Sequence, residues 1–473
     1  MSRRTLVSNV LSLSSVQIAN YLLPLVTMPY VVRVIGPDNF GLVNYAQSIV
    51  GYFIVITSFG INLSGARDVA VVRDDATALN HVFSKLLFTR LLLFVISSGL
   101  FFLIVFMSLK LSANKAIFIA YFPSILSEIL FPVWFFQGLE KMAYISIFNF
   151  VAKLIATLLV FLLIKNASDY ILLPVINVSS TLLIGIVALS VIRSSFKIDF
   201  FVPKFKVITQ TLKENVSIFL SDVYVNVYTA SYPVILSMFA SYADVGFFSG
   251  AQKIVFAWVG LQNMVITATY PHLSRLMHEN RDSGIMFLQK MSGLCFMISI
   301  PATTFALIFA PQIVLILLGQ GFVKSILILK LLSLLIILIT VNGHLTFQGM
   351  LTLNNKQNFN IARLAGGIIA AITVFPLTYL YKDIGVACTY VLSEIAVFSA
   401  SCYLLNKEKI QFITDIQIKQ IALIILISLI LALVLFISIK NIIFIMVIYS
   451  VMIVISIFKM MQKDYDLYRS SNV

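Results

Sequence analysis

One feature constrains this chain more than any other. A run of about 20 apolar residues returns again and again from one end to the other. As a helix, each run crosses a hydrocarbon core of ~30 Å. Such a core admits only segments whose backbone groups bond internally. Fourteen spans are read, at 7–33, 41–64, 85–109, 115–136, 145–165, 170–192, 214–240, 246–271, 285–309, 322–348, 361–381, 384–405, 418–439 and 441–458. Charged residues make up 11% of the 473 positions and the mean hydropathy is +1.01, whereas about one quarter of a soluble domain is charged. The expected fold is all-α, a polytopic membrane protein of about 14 transmembrane helices.

Two arginines precede the first run, and no small-residue cleavage site follows it. The run is therefore read as the first span and not as a cleaved signal. With the N-terminus inside, 22 Lys and Arg residues flank inner span ends and eight flank outer ends, while Arg90, Lys153 and Lys253 lie within spans. That bias in short loops places both termini in the cytoplasm. It also accounts for the net charge of +14 without invoking nucleic acid. No loop exceeds about 20 residues, which leaves no room for an extramembrane catalytic domain, and no Gly-rich phosphate loop ending in Lys and Ser or Thr is present. Energy, if required, comes from an ion gradient or from the substrate's own. Cys295, Cys388 and Cys402 all fall in apolar segments, so neither a disulfide framework nor a thiolate metal site is expected. His81, His272, His278 and His344 lack metal-ligand spacing. His344, beside Asn342 in the tenth span, reads as a satisfied polar group at a helix contact.

The chain repeats itself. "GLVNYAQSIV" at 41–50 and "GFFSGAQKIV" at 246–255 agree at five of ten positions, at an offset of 205. "FFQGLEKMAYISIFNFVAKL" at 135–154 resembles "TFQGMLTLNNKQNFNIARL" at 346–364, with both Phe-Gln-Gly and Phe-Asn matched at an offset of 211. Six spans separate the copies, so the two halves run parallel and are related by a pseudo-two-fold axis along the membrane normal, a transporter architecture. The expected domains are 1–205 and 206–410, each a six-helix half, with 411–473 a C-terminal helix pair and cytoplasmic tail.

Charges inside spans are the informative residues, because each costs roughly 2.5–3.5 kcal/mol at a helix centre on insertion scales and usually faces an interior cavity. The bases are Arg33, Arg67, Arg90, Lys153, Lys253 and Arg363, and the acids are Glu128, Asp222 and Glu394. An anionic substrate explains the excess of bases. Snorkelling is the alternative for Arg33, Arg67 and Arg363, which lie near span ends. The acids suit either ion coupling or charge pairing with the bases. Pro24 and Pro29 each remove a helix hydrogen bond, "IGPDNFG" at 35–41 reads as a tight turn, and Pro233 answers Pro29 in the second half. These three prolines are the candidate hinge or gate.

"PLVTMPYVVRVIGPDNFGLVNYAQSIVGYF" at 24–53 and "PVWFFQGLEKMAYISIFN" at 132–149, with "ATYPHLSRL" at 268–276 as a weaker third, resemble the O-antigen flippases, the Wzx-type polysaccharide transporters. These sit in the superfamily of multidrug, oligosaccharidyl-lipid and polysaccharide exporters. The resemblance implies a flippase that carries an undecaprenyl-diphosphate-linked oligosaccharide, an O-antigen or capsular repeat unit, from the cytoplasmic to the periplasmic leaflet of the bacterial inner membrane. It implies alternating access through a basic central cavity, for which the six bases above are candidates by burial and charge. It implies no catalytic residue, no metal and no cofactor beyond H+ or Na+ coupling. The implied partners are the lipid-linked glycan, membrane lipid, and an O-antigen polymerase with a chain-length regulator. That branch is commonly drawn with twelve spans, and the additional pair resembles the peptidoglycan-precursor flippases. A MATE-like exporter of cationic drugs is the nearest alternative, and it would want an acidic cavity. A membrane polymerase or glycosyltransferase of the same pathway would need a larger outer loop.

Overall fold

A computed structural model describes the backbone of residues 3–438, 448 and 449, and the side chains of residues 23–435 other than 221 and 224–229, with 448 and 449. Among these residues there is helix and no strand, as a chain immersed in hydrocarbon requires. The residues group into two compact units, Met1–Ser249 and Gly250–Val473, which are described separately.

The first unit begins with α1 (Arg3–Ser58) and α2 (Ile61–Val72), followed by α3 (Ala76–Met107) and the short α4 (Leu109–Ser112). The fourth span comes in three pieces, α5 (Lys115–Tyr121), α6 (Pro123–Leu130) and α7 (Val133–Gly138). Next come α8 (Met142–Leu163), α9 (Leu172–Ser195), α10 (Phe205–Ala230), α11 (Tyr232–Phe239) and the start of α12 (Tyr242–Glu279). The second unit holds the rest of α12, then α13 (Arg281–Ile308), α14 (Ala310–Leu317) and α15 (Ser325–Gly343). A π-helical segment (His344–Met350), α16 (Lys356–Lys407) and α17 (Asp415–Ser438) complete it.

Nine helical stretches among the described residues are long and apolar enough to cross a membrane. Two of them, Leu23–Val72 with 50 residues and Lys356–Lys407 with 52, are long enough to cross more than once. The helix α1 is broken by Gly36 (φ 75°, ψ 171°) and α16 by Lys382 (φ 50°, ψ −124°), and Phe59 and Gly60, both at positive φ, separate α1 from α2. The breaks at Gly36 and Lys382 fall where the sequence separates the first span from the second and the eleventh from the twelfth. Every expected span from the first to the thirteenth has its helix. The fourteenth, 441–458, and the tail beyond it lie outside the described residues.

The expected turn over 35–41 is reduced to one residue. The helix runs on through Pro24 and Pro29, and Gly36 alone leaves it, in a positive-φ conformation that an L side chain rarely adopts. Pro37 then opens the next helical stretch with its φ already set, and the Asn39 amide donates to the Ile35 carbonyl at 3.0 Å, satisfying one acceptor left by the break.

Helix starts carry the repeat as plainly as the motifs do. Asp75 caps α3, accepting from Thr77 N at 2.9 Å and Ala78 N at 3.0 Å. Asn280 caps α13, accepting from Ser283 N at 3.0 Å. These two caps are related by the offset of 205 that relates Gly41 to Gly246. The units nevertheless divide later than residue 205, because α10 packs on α1 and α3. Their cores also differ in chemistry. The first centres on Phe83, Trp134, Phe135 and Phe136, all fully buried, and the second on Leu273, Leu288, Val341 and Leu345.

Candidate functional site

In the first unit the α3 stripe carries Arg90 into the interior, 1% exposed. None of its three guanidinium nitrogens has a hydrogen-bond acceptor among the described residues. Its electrostatic partner is the Glu128 carboxylate on α6, which is half-buried and is itself hydrogen-bonded by Asn62 from exposed ground on α2. Three helices thus converge on one base and one acid. Burying a guanidinium is tolerable only beside such a charge.

The second unit repeats the theme with hydrogen bonds to the buried acid. Glu394 on α16, 8% exposed, accepts from the Asn342 amide at 2.7 Å, and the same amide donates to the Glu394 carbonyl at 2.9 Å. Arg363 on the same helix supplies the opposite charge, with its guanidinium 4.9 Å from the Phe359 ring. Two residues beyond Asn342 the π-helical segment begins. There the Gln348 amide donates to the Ile266 carbonyl and the Thr269 hydroxyl, both at 2.6 Å. That fixes its oxygen toward His344 Nδ1, 2.5 Å away, so the imidazole carries its proton on Nδ1. Nε2 lies 2.8 Å from the Ser292 hydroxyl and 3.1 Å from the Leu288 carbonyl. His344 is the satisfied polar group that the sequence suggested.

A third cluster joins the residues around the Gly36 break to α11 and α12. Gly41 and Gly246, the first residues of the matched motifs, meet each other: a Cβ on Gly41 would collide with the Tyr242 carbonyl and stand 2.7 Å from Gly246 N, and one on Gly246 would meet the Pro37 carbonyl. Tyr45 and Tyr242 lie 5.7 Å apart, and the Lys110 ammonium sits 5.6 Å from each ring while donating to the Ser237 carbonyl. Burial lowers the basicity of that ammonium. Two turns beyond Tyr45, Tyr52 donates to Ser231 at 2.6 Å. Ser231 is the break between α10 and α11, and the buried Pro233 stands in the first turn of α11.

The remaining candidates are dispersed. Arg33 is exposed on α1. Arg67 is 74% exposed at its side chain and pairs with Asp68 at 3.1 Å, and Lys85 reaches the other oxygen of that carboxylate at 3.3 Å. Lys153 on α8 and Asp222 on α10 are half-buried, and Lys253 is exposed on α12. Pro24 is exposed and Pro29 half-buried within continuous helix. The sequence did not point to Asn62, Gln348, Ser292, Tyr45, Tyr242 or Lys110. Only Gln348 carried a signal, its place in the repeated Phe-Gln-Gly. Among the described residues no three His, Cys, Asp or Glu side chains converge to hold a metal ion.

Long apolar helices and paired intramembrane charges describe a polytopic membrane protein. Comparison with known proteins narrows the class. A family profile described as polysaccharide biosynthesis protein matches residues 6–277. A relative from Escherichia coli (strain K12), named "Putative O-antigen transporter", is 30% identical over 404 residues, covering 85% of this chain and 97% of that protein. A relative of the same name from Shigella dysenteriae is 28% identical over 396 residues, covering 82% and 97%. Among solved structures, the lipid II flippase MurJ in an inward closed conformation is similar in fold with a TM-score of 0.75 at 16% identity, covering 99% of this chain and 100% of that one. An inward-facing multidrug resistance MATE family transporter of the MOP superfamily gives 0.62 at 14%, covering 87% and 98%. The chain belongs to the polysaccharide biosynthesis protein family and has the fold of the MOP superfamily transporters.

Proposed function

We propose that this protein is a flippase for an undecaprenyl-diphosphate-linked oligosaccharide, an O-antigen or capsular repeat unit, which it moves from the cytoplasmic to the periplasmic leaflet of the bacterial inner membrane. The observation that carries the reading is the 30% identity to the Escherichia coli relative across 97% of its length. The surplus of intramembrane bases supports it independently. A diphosphate cannot enter hydrocarbon uncompensated, so its path must offer fixed positive charge. Arg33, Arg67, Arg90, Lys153, Lys253 and Arg363 are the candidates to supply it. A MATE-like carrier of cations would need the opposite balance.

Movement follows alternating access, with both termini in the cytoplasm and the polyprenyl tail remaining in lipid. Gly36 and the Ser231–Pro233 break absorb the backbone change, and the Gly41–Gly246 contact marks the closed state of that end. Glu128, Glu394 and Asp222 are the places where a proton or a sodium ion would couple to the cycle. A polymerase and a chain-length regulator would receive the translocated unit.

The experiment is loss and return of the gene in its native cell. Removing it should leave undecaprenyl-diphosphate oligosaccharide in the inner leaflet and strip the surface of polysaccharide. Wild type should restore the surface polymer, and Lys253→Ala combined with Arg90→Ala should not. Unchanged surface polysaccharide in the deleted strain would refute the reading.

A further inference from the structure

The nine residues 196–204 that connect α9 to α10 form a built segment rather than a slack loop. Asp199 N donates to Asn80 Oδ1 at 3.3 Å, Phe201 N donates to the Ser84 hydroxyl at 3.3 Å, and that hydroxyl donates to the Asp199 carbonyl at 3.4 Å. Phe200 stacks on Phe83 with ring centroids 5.4 Å apart, and His81 meets Phe201 edge-on at 4.7 Å. Ile198 and Pro203 are buried. The second and third turns of α3 therefore hold the connector, and the holding decides which side chains face outward.

What faces outward is a mixture that water alone does not favour. Val202 is 75% exposed, Phe205 67% and Phe200 39%. Between and beside them stand Arg193, Lys197, Lys204 and Lys206, all exposed, against the single acid Asp199. The segment follows directly on α9, a membrane-spanning helix, so it lies at the membrane surface. Apolar side chains there settle at the boundary between headgroups and acyl chains, and lysines reach back to the phosphates.

We propose that the 193–207 segment is a binding surface for acidic phospholipid headgroups, which fasten the connector between the two repeats to the bilayer. Val202, Phe200 and Phe205 enter the interface, and the four bases select anionic over zwitterionic lipid by charge. Selectivity by a polybasic patch of this kind runs to about five-fold per charge near an anionic surface.

The test places a tryptophan on the surface as a reporter. Val202→Trp in the full-length protein is reconstituted into vesicles of phosphatidylcholine containing a minor fraction of either brominated phosphatidylglycerol or brominated phosphatidylcholine. Emission from the parent protein, which carries Trp134 and Trp258, is subtracted. The proposal expects quenching several-fold stronger by the brominated phosphatidylglycerol, with the difference collapsing in high salt and in a Lys197→Gln, Lys204→Gln, Lys206→Gln variant. These exposed positions leave the fold intact, which the unchanged helical signal of each variant verifies. Equal quenching by the two lipids would overturn the charge selectivity. No quenching by either would place the segment in water and overturn the proposal entirely.

Discussion

Phe-Gln-Gly occurs at 136–138 and again at 347–349, and the two copies turn opposite faces to the interior. In the first, Phe136 is fully buried among aromatic rings and Gln137 is exposed. In the second, Gln348 is fully buried and Phe347 is half-exposed. Neighbouring residues on a helix point about 100° apart, so the buried face has shifted by one residue. The cause is visible in the backbone. The first copy follows an outright break at Phe131 and Pro132, whereas the second lies in the π-helical segment His344–Met350, where the helix widens but continues. A π-bulge inserts one residue into the helical register and rotates everything after it. The two copies of the motif thus sit against an aromatic core in one unit and within a buried polar network in the other.

Three changes should sharpen or break this contrast, each measured as unfolding free energy of the purified protein in detergent. Trp134→Ala should be the most costly, on the order of 3–5 kcal/mol, since it empties a fully buried site beside Phe83. Gln348→Leu should cost about 3 kcal/mol, because it strands the buried His344 Nδ1 and removes the amide's bonds to the Ile266 carbonyl and the Thr269 hydroxyl. Gln137→Leu, its repeat partner, should lie within about 0.5 kcal/mol of wild type. Comparable losses at the two glutamines would mean that the face has not rotated.

Other matched positions should behave alike. Gly41→Val and Gly246→Val each place carbon against backbone that cannot retreat, and each should cost about 1–3 kcal/mol by overpacking. They should also abolish cross-linking between cysteines placed at Tyr45 and Tyr242. The caps Asp75 and Asn280 form the mildest pair, with about 1 kcal/mol expected from either alanine. A large difference between the two caps would argue that the repeat governs sequence but not stability.

Much of this architecture is readable from the chain itself. The helices of the first thirteen expected spans are legible because hydrocarbon demands apolar length, which hydropathy reports directly. The matched glycines announce themselves as the first letters of a repeated motif, and their close approach is what keeps both positions small. Other features are not readable. Nothing in the spacing of residues 90 and 128 relates them, because α3 and α6 meet only through tertiary packing. Lys110 counts as one more loop cation until it is seen between Tyr45 and Tyr242. The expected turn at 35–41 and the π-helical segment both concern backbone geometry within otherwise helical composition, where a period-based reading has little to detect. Gly36 is a positive-φ residue among helix-compatible neighbours, and a single inserted residue at 344–350 is smaller than the window in which periodicity shows.

The most direct test of the account is flipping of a labelled undecaprenyl-diphosphate oligosaccharide by the purified protein in proteoliposomes. It is scored by the label's accessibility to a membrane-impermeant reagent, with a cationic dye as the competing cargo. The account predicts that wild type exchanges the lipid-linked glycan between leaflets far faster than empty vesicles and leaves the dye where it started. Transport of the dye by folded protein that leaves the glycan unmoved would contradict it.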